Sequence, residues 1–275
     1  DVHNINKYID SAYGNVDTYR IIIESGEYLA IQLNYELSDN YFAVRKYIEG
    51  TPIPAENSRA EQIYDAIAGF IKRNISDDMS VYDKELAAHD YIIRNCVYGY
   101  PDNEDDAYTA YGALVLGESV CDGYAEAFFL IMSCLDINCD IVVGSTDEGL
   151  HAWNQVEIDS EWYNVDLTWD DTSLASAGLI SYAQYNRSDS TPAFADTHIR
   201  DDNCLFLPVC DGDAYTYEAL YGMPAELGAL TWLDDYDSVW HVSDIYEYDY
   251  AMQDLMIQYG TGEHTFRFAV YNQEC

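Results

Sequence analysis

The sequence predicts an α+β fold, a helix that begins at a cysteine and packs on an antiparallel sheet carrying a histidine and an aspartate. Three observations predict it. From Tyr124 onward the apolar residues Tyr124, Ala125, Phe128, Phe129, Met132 and Leu135 recur at helical spacing, with Cys121 just before them. His151–Ile158 and Trp162–Trp169 read as two strands joined by a short turn at 159–161, which makes a hairpin. Ile141–Val143 supplies a further strand.

The bulk numbers fit a folded chain. It has 275 residues, 49% hydrophobic and 15% aromatic, which is ample for a packed core and unlike a disordered tail. Twelve basic and 50 acidic residues give a net charge of −38. Such a surface repels nucleic acid and anionic membrane, so both are discounted as partners. The acidic residues are spread along the chain, as on a solvated surface. No apolar run reaches the ~18–20 residues of a membrane helix.

In chain order, Tyr28–Tyr35 alternates like a strand, and residues 1–55 read as a β-rich extension. Thr51–Pro54 is hostile to helix. Ser58 and Glu61 have the form of a capping box ahead of Ile63, Ala66, Ile67, Phe70 and Ile71, which share a helical face. Ser80 and Asp83 mark a second helix start, with Tyr82, Leu86, His89 and Ile93 on its apolar face. His89 there reads as a buried histidine satisfied by a neighbour rather than as a ligand or base. The acidic run Pro101–Asp106 lacks the spacing of a calcium loop and reads as solvated. Neither HExxH nor paired CxxC spacing occurs, and the six histidines are scattered, so a metal site has no support. Residues 201–275 read as a C-terminal α/β extension, with a helix at 243–259 and a strand at 265–271. Seven cysteines leave six besides Cys121, which are either bridged or reduced core thiols, with Cys204 and Cys210 the pair best placed for a bridge.

The chemistry concentrates between residues 107 and 171. A thiol at the start of a helix sees free N–H groups and the positive end of the helix dipole, and both favour the thiolate. The same N–H groups can donate to an oxyanion. If Asp159 and Ser160 form the hairpin turn, residue 158 faces 161 and residue 153 faces 166. Asp166 is then the diagonal neighbour of His151, with Cβ atoms roughly 7 Å apart or less. A slip of one residue would put the two on opposite faces. In this register the aspartate orients the imidazole, and the imidazole takes the thiol proton and returns it to a leaving amine.

Tyr111–Leu114, Val120–Phe128, His151–Asn154 and Trp162–Asp171, in this order, together resemble the transglutaminase-like superfamily, in the manner of its bacterial cysteine peptidases. Separations of 30 (151−121) and 15 (166−151) fit it. The resemblance covers residues 75–200 and places a catalytic core at 56–200. It implies a papain-like fold, acyl transfer from an amide through a thioester, no cofactor, and Cys121, His151 and Asp166 as the catalytic residues. Relatives often place a Gln upstream of the cysteine for the oxyanion. Here that stretch is Leu114–Glu118, so the hydroxyl of Tyr111 or Tyr108 is the candidate donor, against simple aromatic packing. Trp153 and Trp169 are expected to line or support the cleft, and Asp170 and Asp171 to cap the turn after the strand. His198 matches a histidine common in bacterial members and is given no catalytic role.

The expected substrate is a peptide or protein amide, cell-wall peptide included, with water or an amine as acceptor. A catalytically silent cell-surface binding or scaffold module is the alternative. The few Lys and Arg and the 27 Tyr suggest an exported or cell-surface bacterial protein, any leader having been trimmed before Asp1.

Overall fold

The computed structural model describes residues 37–171, 180–201, 204, 207–221, 240–242 and 268–270. Three helices come first: α1 (Asp39–Glu49), α2 (Ser58–Asn74) and α3 (Val81–Asn95). Ser38 caps α1 through the Tyr41 N–H, and Gly50 closes it at φ 70°. Helix α3 begins with the expected capping box, Ser80 and Asp83 bonding each other's backbone N–H. The box read at Ser58 does not form. Asn57 occupies the cap position without a side-chain bond, and Ser58 is already helical.

Short strands β1 (Val97–Tyr98) and β2 (Glu118–Ser119) pair in parallel. Between them lie a 3₁₀ turn at Glu104–Tyr108 and a π-helical turn at Gly112–Leu116, closed by Gly117 at φ 74°. Helix α4 (Cys121–Cys134) follows. The main sheet contains β3 (Cys139–Thr146), β4 (Gly149–Ile158) and β5 (Glu161–Val165), with β6 (Ile199–Arg200) on the far edge, in the antiparallel order β5-β4-β3-β6. Short helices α5 (Leu167–Asp170), α6 (Pro192–Ala195) and α7 (Tyr217–Tyr221), and a parallel pair β7 (Trp240–Val242) and β8 (Phe268–Val270), complete the described elements. The architecture is α+β, as the sequence predicts.

Helix α4 is the centre of the core. Its apolar spacing suggested one buried face, but every residue from Gly123 to Met132 is buried. The sheet covers one side of it and α1, α3 and the π turn cover the other. A helix apolar all round needs such enclosure. Glu126 is the polar exception. It accepts from Asn40 Nδ2 at 3.0 Å and from the Ala110 N–H at 2.9 Å, which ties α1 and the incoming loop to α4.

The described parts of both flanks join this core. Ala43 and Val44 of α1 and Tyr217 of α7 belong to the same buried cluster as Phe128 and Leu130. The expected boundaries at 55 and 200 therefore run through packed structure. The strand read at Tyr28–Tyr35 and the helix at 243–259 lie outside the described residues. Within the described part of the N-terminal segment, the one element is a helix.

Among the described residues none of the six cysteines forms a disulfide. Cys204 and Cys210 do not bridge. The Sγ of Cys204 accepts from the Val143 N–H at 3.4 Å, while that of Cys210 meets Arg200 at 3.4 Å. Asp106, read as solvated, is instead buried and paired with Arg59. Among the described residues no helix is long and apolar enough to cross a membrane.

Candidate active site

The approach to Cys121 is pinned by backbone. The Val120 N–H donates to Ala107 O at 2.9 Å, and Ser119 Oγ to the same oxygen at 2.6 Å. The Val97 and Gly99 N–H groups donate to Gly117 O and Ser119 O, each at 3.0 Å. Gly123 is needed for close approach, since a Cβ there would fall 2.0 Å from Ser119 Oγ and 2.6 Å from Thr109 O. These bonds deliver Cys121 as the first residue of α4. No side chain caps this helix end. The Gly123 and Tyr124 N–H groups donate to Val120 O at 3.1 and 3.2 Å, which leaves those of Cys121 and Asp122 as the first-turn donors from which an oxyanion can accept.

The hairpin has the register read from sequence. Ile158 faces Glu161 and Asn154 faces Val165, across a two-residue turn in which Asp159 and Ser160 both take positive φ. Strand β5, however, ends at Val165, short of the expected Trp169. Asp166 becomes the N-cap of α5, its Oδ1 accepting from the N–H groups of Thr168 at 2.9 Å and Trp169 at 3.2 Å. An aspartate that can satisfy two helix-start donors favours the cap over extended backbone. Its other oxygen, Oδ2, accepts from His151 Nε2 at 2.7 Å.

His151 Nδ1 is then the nitrogen left for the thiol, and Cys121 is a hydrogen-bond partner of the ring. Burial disfavours charge on His151, but the bonds to Asp166 and Cys121 prevail and raise it to about 10. Burial also opposes charge on Asp166, yet its bonds to His151 and His198 hold it below the ordinary value. The pair therefore favours imidazolium beside carboxylate. Cys121 Sγ also lies 3.6 Å from Asp122 Oδ2.

The two tryptophans divide their work. Trp153 is buried, donates from Nε1 to Asn164 Oδ1 at 3.2 Å, and stacks against His151 at 6.1 Å between ring centroids. Trp169 is half-buried and lies 5.8 Å from the imidazole, tilted by 39°. Tyr111 is turned away from the thiol. Its hydroxyl donates to Gln62 on α2 and its ring lies 4.0 Å beneath the Arg59 guanidinium. Tyr108 is exposed, packs edge-on to Tyr100, and feels the charge of Asp122. Neither tyrosine bonds Cys121 or His151. Asp170 and Asp171 do not cap the turn. Asp170 is fully buried against His89 Nε2 at 3.3 Å and the Gln184 N–H at 2.9 Å, and Asp171 accepts from Tyr124 Oη at 2.5 Å.

Sequence reasoning missed two parts. His198 Nε2 lies 3.0 Å from Asp166 Oδ2, so the scattered histidines do converge, and the ligand atoms of His151, Asp166 and His198 all fall within 4.8 Å of one another. Two nitrogens and a carboxylate of this kind can hold a metal ion, although here both ring nitrogens are spent on one oxygen. The other missed part lies behind the site. Glu85, fully buried on α3, accepts from Tyr185 Oη and Asn186 Nδ2. His89 beside it is a satisfied buried histidine, bonded to Asp90 at 3.2 Å and to Asp170. A glutamate on an apolar helix face gives no signal of such burial.

A thiol at a helix start, with an imidazole and a carboxylate aligned on an antiparallel sheet, defines the papain-like class of thiol sites. Residues 66–167 match the model of the transglutaminase-like superfamily. The solved structures similar to this chain include these two. One, described as a candidate cysteine protease from Cytophaga hutchinsonii, is 22% identical over 40% of this chain and 37% of its own, with a TM-score of 0.32. The other, described as a TGase, is 18% identical over 47% of this chain and 39% of its own, with a TM-score of 0.33. This chain thus spans well under half of either. No curated protein matches it.

Proposed function

We propose that the protein is a thiol-dependent acyl-transfer enzyme acting on peptide or side-chain amides. The observation that supports it is that one imidazole, His151, is bonded both to the Asp166 carboxylate and to the Cys121 thiol. The Cys121 thiolate attacks the amide carbonyl, and the oxyanion accepts from the backbone N–H of Cys121 at the start of α4. His151 gives its proton to the departing amine, leaving a thioester on Cys121. Water or a second amine, its proton taken by His151, then attacks the thioester and releases the acyl group. Asp166 stays ionised and fixes the imidazole.

The test is to incubate wild type and Cys121→Ala with a glutamine peptide library and a labelled amine, read by mass spectrometry. Cleavage identifies a peptidase, a one-dalton gain a deamidase, and amine incorporation a transferase. No product from wild type across the library sinks the proposal.

A further inference from the structure

His198 approaches Asp166 from the segment after α6. It is buried, and its Nε2 lies 3.0 Å from the same Asp166 Oδ2 that His151 holds at 2.7 Å. A carboxylate oxygen can only accept, so both histidines donate and both carry hydrogen on Nε2. The remaining nitrogen of His198 meets Thr197 Oγ1 at 2.8 Å. Aromatic rings fix its plane. Phe194 stacks on it at 3.9 Å with 5° between planes, Trp153 stands edge-on at 5.1 Å, and Trp169 lies at 4.7 Å.

The need for such a clamp follows from the end of β5. With Asp166 outside the sheet, two backbone N–H groups hold Oδ1. A carboxylate held at one oxygen can still swing the other. We propose that His198 is a positioning residue that fixes Asp166 Oδ2 against His151 Nε2, so that His151 Nδ1 is presented to Cys121. This rests on the reading of Cys121, His151 and Asp166 as the reacting groups. The other charged neighbours are Asp122 beside the thiol and Asp170 one turn beyond Asp166.

The test is the rate of iodoacetamide labelling of Cys121 across pH in the full chain, followed by mass spectrometry, with circular dichroism as the check on folding. His198→Phe keeps the stack on Phe194 and removes the donor. His198→Gln keeps an N–H at about the position of Nε2. With Asp166 loosened, His151 is held less firmly against the thiolate, so labelling of Cys121 on the acid side of the profile is expected to be about tenfold slower in His198→Phe. His198→Gln restores most of it. If His198→Phe does not fold, His198→Asn, whose amide is too short to reach Asp166, takes its place. A donor-less variant that follows the wild-type profile overturns the proposal, as does equal impairment of the Gln variant. Labelling needs no amide substrate, so failure of the acyl-transfer reading and failure of this inference are separate results.

Discussion

Asp166 Oδ2 lies 2.7 Å from His151 Nε2 at the point where β5 gives way to α5. The aspartate therefore has two tasks. It caps a helix through Oδ1 and orients an imidazole through Oδ2. Every lone pair that faces protein is used, and none of its carboxylate is exposed to water.

Asp166→Asn places an NH₂ group where two ring N–H groups or two backbone N–H groups expect an acceptor. The imidazole loses its tautomer control, and kcat for amide turnover is expected to fall by about 10³-fold or more, with the fold retained. A variant within tenfold of wild type removes Asp166 from the mechanism.

Gly123→Ala tests the packing beneath the thiol. The new Cβ would meet Ser119 Oγ, Thr109 O and, at 3.0 Å, Ala107 O, two of them backbone atoms that cannot turn aside. The expected cost is about 1–3 kcal/mol or more, read from the urea midpoint. An unchanged midpoint contradicts the close approach.

Glu85 governs an alkaline loss of stability. Burial pushes its carboxyl from 4.5 up to about 8, against the bonds from Tyr185 and Asn186. Between these values the folded chain holds a proton that the unfolded chain has released, so stability falls as pH rises through that window. His89 acts in the same sense. Despite burial, its bonds to Asp170 and Asp90 raise it from 6.5 to about 9, and the stability this confers is lost as pH rises towards 9. Glu85→Gln removes the first contribution. Its melting temperature is expected to fall less than that of wild type between pH 4.5 and 8. Parallel curves for the two proteins rule out the assignment.

Tyr111→Phe separates the tyrosines from the chemistry. The lost bond to Gln62 is on α2, away from the thiol, so Cys121 labelling is expected to match wild type and stability to drop by less than about 1 kcal/mol. Slower labelling would return Tyr111 to the site.

The sequence by itself determined the local parts. Helical spacing after Cys121 gave the central helix, Ser80 and Asp83 gave the start of α3, and the turn at Asp159 and Ser160 gave the register that puts 153 opposite 166. These are short-range, because spacing, capping and turn chemistry act within a few residues. The resemblance of four blocks in order added the papain-like fold. Tertiary structure decided the rest. Asp166 leaves the sheet because two helix-start donors are worth more to it than a ladder position. Tyr111 turns to α2 because Arg59 and Gln62 lie there. His198 reaches Asp166, and Glu85 is enclosed by Tyr185 and Asn186, only once segments about a hundred residues apart, or in the case of His198 thirty-two, are folded together. Side-chain burial and long-range hydrogen bonds are properties of the packed chain, and no local pattern encodes them.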